Sequence, residues 1–108
     1  MNERDNIHIE RIKEELIFIR KAIKDITKDL FLNNDIVQHA VSMALISIGE
    51  SAKNLSDKFK EIYSEIEWIQ IIAVRNIAAH GYWQLDMEQI WQAVDDDIPK
   101  LEEFFNQF

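Results

Sequence analysis

No cysteine occurs in the 108 residues, so neither a disulfide framework nor a thiolate zinc site is available, and thiol chemistry says nothing about the redox compartment. Glycine appears twice and proline once. That scarcity of chain breakers disfavours short strands joined by tight turns and favours long helices. Long apolar runs are missing as well. Nothing approaches the ~18 residues of a membrane span, and the densest stretch, Trp68 to Ala79, is interrupted by Gln70, Arg75 and Asn76. The start, Met1-Asn2-Glu3-Arg4-Asp5-Asn6, is polar and lacks the apolar core of a secretory signal. A cytoplasmic protein with no membrane contact is the expectation.

Positive charge is scarce in one half of the chain. Twelve Lys and Arg face twenty Asp and Glu, a formal charge of −8. Residues 1–60 hold ten bases and ten acids, whereas residues 61–108 hold ten acids and only two bases, Arg75 and Lys100. Such acidity argues at first against nucleic acid, whose binders ordinarily present a basic face. A hydrophobic fraction of 47% is enough for one core and excludes disorder, and the length fits a single domain, residues 1–108.

What is present is helical periodicity. Ile9, Ile12, Leu16, Ile19, Ile23, Ile26 and Leu30 alternate spacings of three and four, which predicts one long first helix. A break follows at Asn33-Asn34, where Asp35 and Gln38 form a candidate capping box. Val37, Val41, Ala44, Ile48, Ala52 and Leu55 stripe a second helix, interrupted by Gly49, which marks a close helix contact or a nearby site. Ser56-Asp57 opens a short helical turn through Tyr63. A fourth helix runs from about Glu67 to His80, stopped by Gly81. Asp86 with Gln89 starts the last helix, striped by Met87, Trp91, Val94, Ile98, Leu101, Phe105 and Phe108, which Pro99 should kink or split. The fold class is therefore all-α, an antiparallel four-helix bundle with an additional short helix.

The fourth helix carries the chemistry. It is apolar nearly all round, so it belongs in the interior of its own bundle or against another subunit. A guanidinium in such a setting is costly unless paired. Arg75, Asn76, His80 and Tyr82 place a fixed cation, an amide, an imidazole and a phenol within eight residues of this segment. Two readings stand side by side. In the first, Arg75 pairs with a carboxylate such as Glu50 and His80 caps the helix. In the second, these groups cleave a phosphodiester, with Arg75 holding the non-bridging oxygens and His80 moving a proton. Five residues of helix set Arg75 and His80 about 140° apart, so their convergence requires the helix to end near Gly81 or a second subunit to supply one of them.

Arg75-Asn76-Ile77-Ala78-Ala79-His80-Gly81-Tyr82 matches the R-x4-H-x-Y signature of the HEPN superfamily and resembles the HepT-like toxin ribonucleases. Ile48-Gly49-Glu50-Ser51-Ala52 is similar to the family's Gly-Glu segment, Trp68 precedes the motif at the expected distance, and Val94 to Leu101 resembles the final helix. The resemblance implies a metal-independent endoribonuclease without cofactor, working as a homodimer on an RNA substrate. Arg75 and His80 are then the catalytic pair, Asn76 and Glu50 support the site, and Tyr82 is the motif tyrosine. It also implies a nucleotidyltransferase antitoxin, of the minimal type, that silences the toxin by transferring AMP to Tyr82. An alternative within the same superfamily is a non-catalytic binding module that holds a nucleotide or a nucleotidyltransferase partner. The missing bases in the C-terminal half predict weak long-range steering of RNA and a slow, locally focused enzyme.

Other features read as structural. Asp95-Asp96-Asp97 point about 100° apart on a helix and form a solvated charge run rather than a chelate. His8 and His39 lack the Glu-x-x-His spacing of a di-metal bundle. Trp83 is assigned to the core, with base stacking the other option. Phe104, Phe105 and Phe108 leave an apolar C-terminus that is expected to pack against a dimer mate or partner.

Overall fold

Ile9, Ile12, Leu16 and Ile19 bury one stripe of α1, Glu3–Ala22, in a computed structural model that describes residues 2–108. Asn2 caps this helix, its side chain accepting from the Asp5 N–H. The stripe was expected to continue to Leu30, but the helix stops at Ala22. Asp25 adopts a left-handed conformation, with φ of 61°, and Thr27 caps a separate short helix, α2, Lys28–Leu32. This reversal drives Phe31 into complete burial and leaves Leu30 in solvent. Burying one phenyl ring is worth about 2 kcal/mol, enough to offset one strained aspartate.

In α3, Asp35–Asn54, the cap is Asn34 and not Asp35: the Asn34 side chain accepts from the Val37 N–H at 3.1 Å. Gln38 is also diverted from the expected box, donating to the Phe31 carbonyl at 2.9 Å and so tying α3 to α2. Val41, Ala44, Ile48 and Ala52 form the buried stripe. Ser56 caps α4, Asp57–Ile62. Its backbone N–H and hydroxyl donate to the two carboxylate oxygens of the buried Asp5 at 2.8 and 2.7 Å, fastening the start of α1 to the α3–α4 corner. Two short helices, α2 and α4, therefore accompany the main segments where one was expected.

The next helix, α5, is Trp68–Ala78, ending two residues earlier than expected, and Gly81 follows at φ of 140°. A 3₁₀ turn at Tyr82–Gln84 leads to α6, Met87–Gln92, capped by Asp86, which accepts from Glu88 rather than Gln89. Residues Ala93–Asp97 widen into a π-turn before α7, Ile98–Phe105. Pro99 is the cause, since it cannot donate to the carbonyl four residues back and its ring crowds that position.

The result is an all-α bundle of the HEPN-like kind. Helix α3 lies between α1 and α5, and α7 closes against α1. Arg4 at the start of α1 meets Asn54 at the end of α3, so those two helices run antiparallel. Phe104 and Phe105 are buried, and with Phe108 they join Phe59, Tyr63 and Trp68 in one aromatic cluster. The expectation that they face a partner is thus corrected: α4 and the segment after it supply the rings that cover them. Only Trp68 of α5 is buried, whereas Ile69 and Ile77 are exposed. The apolar helix is covered on one side and bare on the other. No helix among the described residues is long and apolar enough to cross a membrane.

Candidate functional site

Gly49 allows α3 and α5 to touch at the position that matters. A Cβ on residue 49 would sit 2.9 Å from the Arg75 Cβ and 3.0 Å from the Ile71 carbonyl oxygen. The close helix contact accounts for this glycine, and the candidate site lies beside that contact. One residue on, Glu50 reaches across the contact, and its Oε2 accepts from Arg75 Nε at 2.6 Å. Arg75 Nη1 donates to Asn76 Oδ1 at 3.1 Å. A guanidinium has five N–H donors. Glu50 and Asn76 take one each, which fixes the plane of the fork and leaves the remainder for a ligand.

Arg75 does pair with Glu50, as the first of the two readings had it, but the pair is not in the core. Its side chains are 29% and 51% exposed, at the edge of an open groove. The groove, of about 550 Å³, is lined by Met43, Ser47 and Glu50 of α3, by Arg75 and Ala78 of α5, and by Tyr82. Small residues line the α5 side because Ala78 and Ala79 leave room there. The Tyr82 ring stacks on His39 at 4.3 Å, with 25° between the planes. The Tyr82 hydroxyl is enclosed and has no hydrogen-bond partner among the described residues. His39 is itself held by a bond of 2.8 Å between its Nδ1 and the Asp35 carbonyl.

His80 stands apart. It lies beyond the Ala79 C-cap with an exposed side chain that makes no hydrogen bond among the described residues, so it does not cap α5. Within one chain the structure brings Glu50, Arg75, Asn76 and Tyr82 to the groove and does not bring His80 there. Trp83 is 80% exposed, with its ring lying over Gly81, which corrects its assignment to the core. The reason is local: the 3₁₀ turn points residues 82 and 83 to different sides. His39 was missed as a site residue. Its spacing of eleven from Glu50 puts both on one face of α3 and was a readable signal. Asp95 and Asp96 are exposed, and burial raises the Asp97 carboxyl above its ordinary range.

The hydrogen bond from Arg75 holds the Glu50 carboxyl below the usual glutamate range. A depressed folded-state pKa means that the pair adds to stability above the ordinary glutamate pKa and that this increment vanishes as pH falls through the lowered value. At a half-exposed site the increment is small. The expected result is an NMR titration of the Glu50 side chain with its midpoint on the acid side of an unpaired glutamate, returning to the ordinary range in Arg75→Ala. An unchanged midpoint in that variant would show that the ion pair does not persist in solution.

The fold is an all-α bundle in which Arg75 and Glu50 pair across the α3–α5 contact. The chain belongs to the ribonuclease HepT-like family, whose model matches residues 12–108. Among individual relatives, it is similar to a Thermococcus cleftensis protein named "Probable ribonuclease HepT", at 33% identity over 100 residues, covering 93% of this chain and 91% of that one. A Methanocaldococcus jannaschii protein named "Gamma-glutamylcyclotransferase and putative RNase" is 36% identical over 97 residues. That match covers 90% of this chain but 44% of the relative, so the chain spans less than half of that protein. A second protein of that organism, named "Putative RNase", is 35% identical over 78 residues, 72% of each chain. No solved structure matches.

Proposed function

We propose that the chain is the ribonuclease toxin of a toxin–antitoxin pair and cleaves RNA without a metal ion through Arg75 and His80. The observation that carries this reading is the Arg75 guanidinium, oriented by Glu50 and Asn76 with donors to spare on an open groove. Family membership adds the relatives' names to it. In the reaction, the 2′-oxygen bonds to phosphorus while the bond to the 5′-oxygen breaks. Arg75 stabilises charge developing on the non-bridging oxygens. One imidazole takes the 2′ proton and a second, protonated imidazole donates a proton to the leaving 5′-oxygen.

With His80 in both roles, two copies of the chain are required. The bare face of α5, with Ile69 and Ile77 exposed, and the exposed Ile36 and Met43 of α3 are apolar surfaces suited to a homodimer. In such a dimer His80, which leaves its own groove, reaches the shared cleft. The experiment is RNA cleavage by the purified, unmodified chain in EDTA. Cleavage that disappears in His80→Ala supports the reading. No cleavage, with saturable nucleotide binding that survives Arg75→Ala, points instead to a non-catalytic module holding a nucleotide or a nucleotidyltransferase partner.

Tyr82 is the proposed target of the antitoxin. Its oxygen would attack the α-phosphorus of ATP, releasing pyrophosphate, and the resulting AMP would put negative charge and bulk beside Arg75. The enclosed hydroxyl and the His39 stack mean that the ring must first swing out of its seat. Coexpression with the partner nucleotidyltransferase is therefore expected to add whole AMP units to the intact mass, and Tyr82→Phe to abolish the increment. An increment that persists in Tyr82→Phe would place the modification elsewhere.

A further inference from the structure

A stripe of α1 is tied to Glu50, at the edge of the groove, through Asn54. Arg4 Nη2 donates to Asn54 Oδ1 at 3.2 Å, and Asn54 Nδ2 donates to the Glu50 carbonyl at 2.9 Å and to Glu50 Oε1 at 3.4 Å. Glu50 Oε2 in turn accepts from Arg75. One chain of polar contacts thus crosses α1, α3 and α5. Arg4, His8 and Arg11 recur at spacings of four and three, so they share the stripe of α1 that borders Asn54 and Glu50.

Two of the arginines have no carboxylate partner among the described residues. Of the four arginines, Arg20 pairs with Glu102 and Arg75 with Glu50. Arg4 and Arg11 are exposed, and neither has a carboxylate at salt-bridge distance among the described residues. His8 Nδ1 is enclosed without a hydrogen-bond partner. Burial first, then the Arg11 and Arg4 charges, hold His8 below the ordinary imidazole range, against opposing effects from Asp5 and Glu50. Two guanidiniums without a carboxylate partner among the described residues thus stand on this stripe of a chain of net charge −8. Further along the stripe, Glu15 and Phe18 line a separate depression with Ala40, Met43 and Ser47.

We infer that Arg4, His8 and Arg11 form a phosphate-binding wall that holds the RNA backbone next to the phosphodiester seated at Arg75. The inference rests on the ribonuclease reading for the identity of the ligand. Guanidiniums fork onto phosphate oxygens, and a single strand offers successive phosphates to a stripe two helical turns long. The wall gives an acidic protein a local means of engaging a polyanion, because Arg4 and Arg11 are exposed and have no carboxylate partner among the described residues. It assigns the substrate class as single-stranded RNA several nucleotides long.

The test measures binding of the full chain, carrying His80→Ala to prevent cleavage, to a labelled single-stranded RNA of about ten nucleotides between about 50 and 200 mM salt. Each phosphate contact on a single strand contributes about 0.7 to the slope of log affinity against log salt. Arg4→Gln with Arg11→Gln is expected to lower that slope by about 1.4, and Arg11→Gln alone, which breaks no hydrogen bond within the chain, by about 0.7. Lys21→Gln with Lys24→Gln removes the same charge away from the groove and should leave the slope nearly unchanged. Equal losses in the two double variants, an unchanged slope in the arginine variants, or no RNA binding at all would overturn the wall. So would polyglutamate competing as well as RNA, which would indicate an acidic protein ligand. Cleavage by the unsubstituted chain is scored separately. Binding with the expected slope but no cutting keeps the wall and loses the ribonuclease, whereas cutting with an unchanged slope does the reverse.

Discussion

Arg75→Ala is expected to slow RNA cleavage by a factor on the order of 10²–10³ while the bundle stays folded. The two effects separate because of where the side chain begins and ends. Its Cβ seats against Gly49 and is retained by alanine, so the α3–α5 contact keeps its shape. The guanidinium lies in a half-exposed ion pair, and removing such a pair costs about 0–1 kcal/mol. In the reaction the same group faces charge that develops only as the phosphorus is attacked, and there its loss is felt in kcat. Arg75→Lys should recover little, since an ammonium cannot accept the orientation that Glu50 and Asn76 impose on a planar fork. His80→Ala should cost a comparable 10²–10⁴-fold as a lost proton-transfer group. Glu50→Gln is expected to be milder, because an amide oxygen still accepts from Arg75 Nε. Steady-state rates on a labelled RNA in EDTA, beside thermal melts of each variant, check these outcomes. An Arg75→Ala enzyme that cuts as fast as the unsubstituted chain would remove Arg75 from the chemistry.

Much of the fold was legible from periodicity, and where it failed a specific local interaction had won. The alternating stripe of residues 9–30 reads as one helix because hydrophobic spacing carries no information about Asp25, whose left-handed turn lets Phe31 into the core. Asn34 stands where Asp35 was expected as the cap, and Gln38 donates to the Phe31 carbonyl, a contact between helices that the local spacing does not state. Phe104, Phe105 and Phe108 looked unpartnered only because the aromatic residues that cover them are spread from Phe59 to Trp68. At the site, Glu50, Arg75, Asn76 and Tyr82 were legible as chemistry, and their meeting depended on Gly49, whose meaning needs a neighbour in space. Arg4 and His8 carried no motif. The antiparallel pairing of α1 with α3, which no local pattern states, brings Arg4 to Asn54 and so toward Glu50.

Gly81→Ala is expected to lower Tm by roughly 10 °C and to reduce cleavage even well below the melting point. At φ of 140° and ψ of 134° the residue occupies backbone space that a side chain strongly disfavours. Forcing alanine into it costs roughly 1–3 kcal/mol, and each kcal/mol moves Tm by about 4–8 °C in a domain of this size. An added Cβ would also lie 2.5 to 2.7 Å from three atoms of the Trp83 ring. Trp83 is exposed and can rotate away, so the backbone is the larger obstacle. The chain's alternative is to rebuild the turn, and that turn sets the direction of both His80 and Tyr82. Activity should therefore fall in samples assayed about 20 °C below their own Tm, a margin worth several kcal/mol on the same scale, where the bundle is fully folded. Gly49→Val makes the useful contrast, since it pushes α3 from α5 and disturbs Arg75 while leaving the 80–82 turn alone. If Gly81→Ala melts within about 2 °C of the unsubstituted chain, a change below 1 kcal/mol, the turn relaxes without strain. Gly81 would then serve the site through space for Trp83 and not through its backbone.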